Sequence, residues 1–385
     1  MGKIELDHTG AGSGVTLSSD GTDLLLNGTA IGGGGGTVLE LYAENPSSPT
    51  APSATGANAV AIGTNAQATN TNAVAITRNA VASGNSSFAV GNNAAATGTN
   101  GIAIGANTAA VERATAIGGA GAQALQQNTT AIGSSSTSQP ATCPAGGGAG
   151  AMALGGSYAS GTDSFAAAIA NNTASYGATG ANSVAIGYQG KATAFGAVSL
   201  GRGTQATANY SLASGLNTVA SASYGVALGY EATTYTQTSI AFSAGSFSGI
   251  AGQHQARIFV LRTRSTDATP KVLVSDGGSS GSTNDQIILP NNSAYAFHGT
   301  IVARQQASQG TACAAWKIEG LIRREGSVGT TVLVNSATTV LDNTPGWGMT
   351  LSADTTNGGL KIEVTGAAAT NIAWNGNIHT SEVTY

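Results

Sequence analysis

A four-residue word of the form Val-Ala-Ile-Gly returns along this chain about every fourteen residues, and a period that short leaves few folds open. It stands at Val60-Ala61-Ile62-Gly63, Ile102-Ala103-Ile104-Gly105, Val184-Ala185-Ile186-Gly187 and Val226-Ala227-Leu228-Gly229, with relatives such as Phe88-Ala89-Val90-Gly91 and Met152-Ala153-Leu154-Gly155 between them. The closing position falls at 63, 77, 91, 105, 118, 133, 155, 170, 187, 201, 215, 229 and 243. Two helices and their turns need more than about thirty residues, whereas two short strands and two tight turns fit about fourteen. The repeat therefore reads as one coil of a β-solenoid.

Within each word the residues one and three before the glycine are large and apolar, and those two and four before it are small. Alternation with a period of two gives a strand with two unlike faces. The apolar face is expected to fill the coil, leaving the small face outward, where another chain can approach closely. The glycine permits a turn that a side chain would obstruct. Ala68, Ala82, Ala96, Ala110, Ala192, Ala206 and Ala220 recur five residues beyond it, in the second half of the coil. Asn58, Asn72, Asn100 and Asn182 share one phase, which fits either an amide ladder or a column of turn residues. A single thin coil cannot stand alone, so neighbouring coils and neighbouring chains must complete it.

The charge distribution narrows the function classes. Residues 55–245 carry four cations (Arg78, Arg113, Lys191, Arg202) and three anions (Glu112, Asp163, Glu231), and the whole chain carries a net charge of -4. Such a surface offers nothing to a nucleic-acid backbone. No apolar run approaches the eighteen residues of a membrane span, and Met1-Gly2-Lys3-Ile4-Glu5-Leu6-Asp7 is no signal peptide, so no membrane insertion is expected. Cys143 and Cys313 lie far apart and suggest neither a disulfide nor a metal site, and Cys143 falls in a long step read as an inserted surface loop.

Three regions follow: residues 1–50, a β-like segment with a Gly/Pro-rich linker; 51–249, the repeat shaft; and 250–385. In the last, Trp316, Ile318 and Ile322 alternate with Lys317, Glu319 and Arg323, and Leu360, Ile362 and Val364 with Lys361 and Glu363. Turn signals at Asp342-Asn343-Thr344-Pro345-Gly346 and Asn357-Gly358-Gly359 separate half-buried strands, which predicts a β-sandwich, jelly-roll-like, with Trp316 and Trp374 in its core.

The Asn182-Ser183-Val184-Ala185-Ile186-Gly187 word and its copies resemble the head repeats of trimeric autotransporter adhesins. That resemblance implies an all-β, left-handed parallel β-roll with three chains around one axis, hence a homotrimer. Asn292 to Thr300, Ala314 to Gly320 and Leu351 to Lys361 resemble a C-terminal domain of bacteriophage fibre proteins. This second resemblance implies a virion fibre. Its N-terminal region would attach to other virion proteins, and its C-terminal tip would meet a host surface glycan or envelope protein.

Chemistry is sparse. Gly32 to Gly36 lacks the Lys-Ser/Thr pair of a phosphate loop, and His8, His254, His298 and His379 are scattered, so no cofactor, metal or catalytic residue is expected. Asp276 and Asp285 flank a Gly/Ser loop and read as loop carboxylates before they read as a hydrolase pair. Arg262 and Arg264 alternate with apolar residues and read as solvated or inter-chain ion partners. Recognition is assigned to the tip, through Trp347, which follows a turn between two glycines, with Tyr295, His298, Arg304 and Arg324. The resulting expectation is a non-enzymatic adhesive fibre, with a purely structural fibre or a depolymerising tailspike as alternatives.

Overall fold

A computed structural model describes residues 50–119, 121–133, 141–144, 147–167, 175–278 and 280–385, together with the backbone of four short N-terminal strands. Those strands, Ile4–Leu6, Val15–Ser19, Leu24–Leu26 and Thr29–Ala30, form an antiparallel meander. The Gly32–Gly36 tract and Pro46 and Pro49 lie outside the described residues.

The repeat forms a parallel stack. Its first residues pair in register from Val60↔Val74 and Phe88↔Ile102 to Val184↔Val198 and Val226↔Ile240, thirteen strands in all. Stacking at about 4.8 Å makes a rod roughly 60 Å long. Short strands on the return side of each coil pair in two parallel sheets, Ser53–Ala54 to Thr142–Cys143 and Gly177–Ala178 to Thr233–Thr234. Isolated bridges Thr142↔Tyr158 and Ala159↔Ala178 carry the column between them. One coil is placed differently from the sequence reading. Its strand is Phe165–Ala167, two residues ahead of the one that a closing position at 170 implies, and position 170 itself lies outside the described residues.

The faces of the strand are the reverse of the expectation. Ala61, Ala75, Ala89, Ala103, Ala153, Ala185 and Ala227 are buried inside the coil, as are Ala68, Ala82, Ala96, Ala110, Ala192, Ala206 and Ala220 opposite them. The large residues turn outward: Val60 is 39% exposed, Ile132 40% and Ile186 38%, and Ile62, Ile102, Ile104, Val184, Val226 and Leu228 are half-buried. The cause is volume. Strands of two to five residues enclose an interior that holds little more than methyl groups, and a branched side chain pointing in would force the two strands apart.

Corners set the sequence of the rest of the coil. Asn58, Asn72, Asn100 and Asn182 have φ of 56–58°, and Asn65, Asn79, Asn93 and Asn107 have φ of 54–58°. Asparagine tolerates this left-handed conformation better than other side-chain-bearing residues. The second column is the continuous amide ladder, with Nδ2 to Oδ1 distances of 3.0 Å from Asn65 to Asn79, Asn79 to Asn93 and Asn93 to Asn107. The first holds the Asn58–Asn72 rung at 3.3 Å. At Gly105, φ is 121° and a Cβ would meet the carbonyl oxygen of Gly118 in the next coil. Cys143 is corrected as well: it is no loop residue but takes an interior alanine position beside Ala124, and burial pushes its thiol up to about 12.

Beyond the last coil the pairing changes sense. Ile240–Ala244 pairs antiparallel with His254–Ser265, and the sheet continues through Ile372–Thr384, Ser293–Gln305 and Cys313–Arg324 to the edge strand Val332–Asp342. A smaller sheet centred on Gly359–Thr365 joins Lys271–Val272, Ile287–Ile288 and Gly348–Asp354. Leu261, Ile301, Ile318 and Trp374 from the first sheet pack with Leu273, Ile287, Leu360 and Ile362 from the second, giving a sandwich-like antiparallel domain with Trp316 and Trp374 in its core.

A buried network joins this domain to the shaft. Arg257, fully buried, donates through Nε to Glu382 at 2.7 Å and through Nη2 to the Tyr295 hydroxyl at 3.0 Å. Glu382 accepts from Gln255 at 2.9 Å, whose own oxygen accepts the Thr233 N–H of the last coil at 2.9 Å. The guanidinium also lies over the rings of Tyr235, Phe259 and Tyr295, 4.8–5.4 Å from their centroids. Burial disfavours its charge, but Glu382 and the surrounding groups more than compensate and hold the pKa above the usual arginine range.

Candidate functional site

The five residues singled out for recognition do not form one site. Trp347 is 5% exposed. Asn343 accepts the Trp347 N–H at 2.8 Å and donates to its carbonyl at 2.7 Å, closing the turn so that the indole lies between the sheets, 5.7 Å from the Trp374 ring. Its flanking glycines serve the turn and do not present the ring. Tyr295 is wholly buried against Arg257, and Arg324 is half-buried, donating to the Leu289 carbonyl at 2.6 Å. Trp347 and Tyr295 are thus buried core positions and not exposed contacts, whereas Arg324 keeps part of its surface open.

His298 and Arg304 are exposed on the outer face of strand 293–305. They stand six residues apart, about 20 Å along a strand. His298 stacks on His379 at 5.2 Å. Arg304 instead faces a cleft of about 470 Å³ at the end of the large sheet.

Register builds that cleft. Arg264 pairs with Ala373 on the central strand, and Ala373 pairs with Arg304, so two arginines flank one small side chain. Arg262 and Asn375 occupy the next outward row and line an adjoining cleft of about 740 Å³, which shares Arg264 and Ala373. The far wall is Gln305, Gln306 and Asn371. Their amides are tied together: Asn371 Nδ2 donates to Gln306 at 2.7 Å, and Gln305 Nε2 donates to the Gln309 carbonyl at 3.0 Å.

Among the described residues these arginines have no counter-charge. Lys317, Arg323 and Lys361 each pair with the glutamate two residues on. Among the described residues Arg304 reaches only the Gly310 and Ala312 carbonyls, at 3.4 and 3.3 Å, and Arg262 the Asp276 carbonyl at 3.1 Å. Arg264 has no hydrogen-bond or ion-pair partner among the described residues. Neither Arg262 nor Arg264 pairs with a carboxylate among the described residues. Asp276 and Asp285 accept the N–H groups of Gly278 and Ser282, as loop carboxylates do. No group of three or more potential metal ligands occurs among the described residues.

The shaft also carries groups that sequence reasoning missed. Phe195, Tyr210 and Tyr224 lie on successive coils with ring centroids 5.3 Å apart, and the two tyrosines are 51% and 56% exposed. Both tyrosines take the left-handed corner that asparagine occupies elsewhere, with φ of 55° and 58°. Counting back from the fourteen-residue period would have aligned them with Asn182.

Residues 54–76, 82–108, 178–194, 192–218, 206–232 and 220–242 match the YadA head domain repeat. Among solved structures, a tailspike protein of the Acinetobacter baumannii bacteriophage Fri1, a capsular polysaccharide depolymerase, overlaps 74% of this chain and 55% of its own, at 9% identity and a TM-score of 0.20. This chain thus spans about half of that protein, and so loose an overlap carries no argument about fold or activity. A search of curated proteins finds no match. No helix among the described residues is long and apolar enough to cross a membrane.

Proposed function

We propose that this chain is a homotrimeric virion fibre: the repeat shaft assembles around a three-fold axis, and the C-terminal domain adheres to the host surface without catalysing a reaction. The observation that carries the reading is the outward stripe. Coil after coil turns apolar side chains away from its own interior, at Val60, Phe88, Ile132, Met152, Ile186 and Phe242 among others, all 36–43% exposed. An apolar stripe that runs the length of a rod of roughly 60 Å is a surface that monomers rarely leave uncovered, and a second and third copy of the same stripe packed around one axis would cover it. The edge strand Val332–Asp342 supports the same reading, since Val334, Val340 and Leu341 are 47–59% exposed and its free edge needs a neighbour.

The N-terminal region would then hold the particle, leaving residues 250–385 at the free end. Sedimentation of the full chain at micromolar concentration tests the assembly, with the mass of three chains expected and a monomer overturning it. Immobilised host envelope polysaccharide tests adhesion, and release of reducing ends from it would replace this reading with that of a depolymerase.

A further inference from the structure

Resting on the adhesive reading, we infer that the Arg264–Ala373–Arg304 cleft is the ligand site of the C-terminal domain and that it takes an anionic sugar, one bearing a carboxylate or a phosphate. Four observations converge on it. The sheet register fixes two exposed guanidiniums on either side of an alanine, and Arg262 adds a third one row away. Neither cleft has a carboxylate in its lining. In a chain with net charge -4, three unneutralised arginines gathered on one sheet end are a local reversal of sign. A volume of about 470 Å³ lies in the range of small-ligand sites.

The chemistry follows from the arginine side chain. A guanidinium presents donors in a planar fork that matches the two oxygens of a carboxylate or phosphate, and it cannot lose its charge near neutral pH. Two forks separated by the methyl of Ala373 leave a floor on which an apolar sugar face can rest. Gln305, Gln306 and Asn371 are committed to one another and to the strand connections, and so form a rigid wall with little ordering left to do on binding. Nearby acids are engaged elsewhere: Asp267 accepts the Thr269 N–H at 2.7 Å.

The test titrates the full chain with three probes: tetragalacturonate, a phosphate-bearing pentamannose and neutral maltotetraose. Anionic preference of about tenfold or more is expected, falling as NaCl is raised from about 50 to about 500 mM, and whichever anionic probe binds more tightly names the group. Arg264→Gln with Arg304→Gln should lower that affinity about ten- to a hundredfold, as losing charge-assisted hydrogen bonds does. Because both side chains are exposed, the melting temperature of the variant should stay unchanged. Arg304→Lys should restore part of the affinity. Equal binding of the neutral probe, binding of none, or an unaltered double variant overturns the site. Host-cell binding separates the two readings: a wild-type chain that does not bind cells overturns adhesion itself, whereas a double variant that binds cells like wild type overturns only this cleft.

Discussion

Exchanging the two faces of one repeat strand should produce two different failures. Ala185 is wholly buried within its coil, while its neighbour Ile186 is 38% exposed on the outward stripe. Ala185→Leu adds three carbon atoms to an interior lined by alanine, where Ala166 and Ser199 of the adjacent coils, both buried, stack directly against position 185 and leave no room for them. Overpacking of this kind costs about 1–3 kcal/mol per chain and should appear as a lower melting temperature with the assembled mass unchanged. On the trimeric assembly proposed above, Ile186→Ser would act on the contact between chains. Fully burying an isoleucine contributes about 1.5–3 kcal/mol, so covering its remaining 38% contributes about 1 kcal/mol per chain and about 3 kcal/mol across three chains. That is about a hundredfold in the association constant. Sedimentation over a concentration series reads the assembly, and thermal unfolding at fixed assembly reads the coil. If Ala185→Leu dissociates the chains while Ile186→Ser leaves them together, the alanine face is the contact and the assignment of faces is wrong.

Three further outcomes are expected. Trp347→Ala should lower stability by about 3–5 kcal/mol in denaturant unfolding, as loss of a buried tryptophan does, while binding by chains that remain folded changes little. Glu382→Gln strands the Arg257 charge and should cost about 3–5 kcal/mol, whereas Arg257→Met combined with Glu382→Leu should recover much of it in the same unfolding assay. For Cys143 the unfolded thiol releases its proton near pH 9, but the folded one keeps it to about 12, so this group's contribution is intact below about pH 9 and falls by about 1.4 kcal/mol per pH unit between about pH 9 and 12. Cys143→Ala, the residue found at the paired position 124, should flatten that part of the alkaline stability profile.

How much was legible in the sequence differs between the period and the faces. The spacing of Gly63, Gly105, Gly187 and Gly229 marks backbone corners, and corners survive any choice of which side is inside, so coil number and the register of every coil but one could be read directly. The direction of Ala185 and Ile186 could not, because hydrophobicity says that isoleucine is buried without saying by what. Here the interior volume of a fourteen-residue coil excludes it, and it stands partly exposed on the outside. The two-residue slip at the Phe165–Ala167 coil has a similar origin: Phe165-Ala166-Ala167 lacks a glycine after it, and the apolar run that follows in the sequence offers a competing frame. Trp347 was misplaced because turn residues mark where the chain reverses, not which way the next side chain points. Arg264 and Arg304 lie forty residues apart in sequence and become neighbours only through the central strand at Ala373, a pairing no local pattern encodes.

The outward stripe and the arginine cleft lie on one continuous face, so the assembly and the recognition proposed above have to avoid each other on it. Ile240 pairs directly opposite Ile258 and Phe242 opposite Ala256, and residues directly opposite in an antiparallel pair share a face. The stripe therefore runs from the last coil onto Ile258 and then Val260, which is 48% exposed. Arg264 is six residues past Ile258, about 20 Å along the strand, so the two proposed roles would be separated by length and not by side. Val260→Glu should accordingly weaken assembly, because three carboxylates would meet near the axis, and should leave affinity for an anionic oligosaccharide per chain within about twofold, since Val260 lies outside the cleft. Sedimentation and titration of the same sample distinguish the outcomes. Normal assembly with lost affinity would mean that the sheets splay from the axis immediately after the shaft, and that the surface around Val260 belongs to recognition.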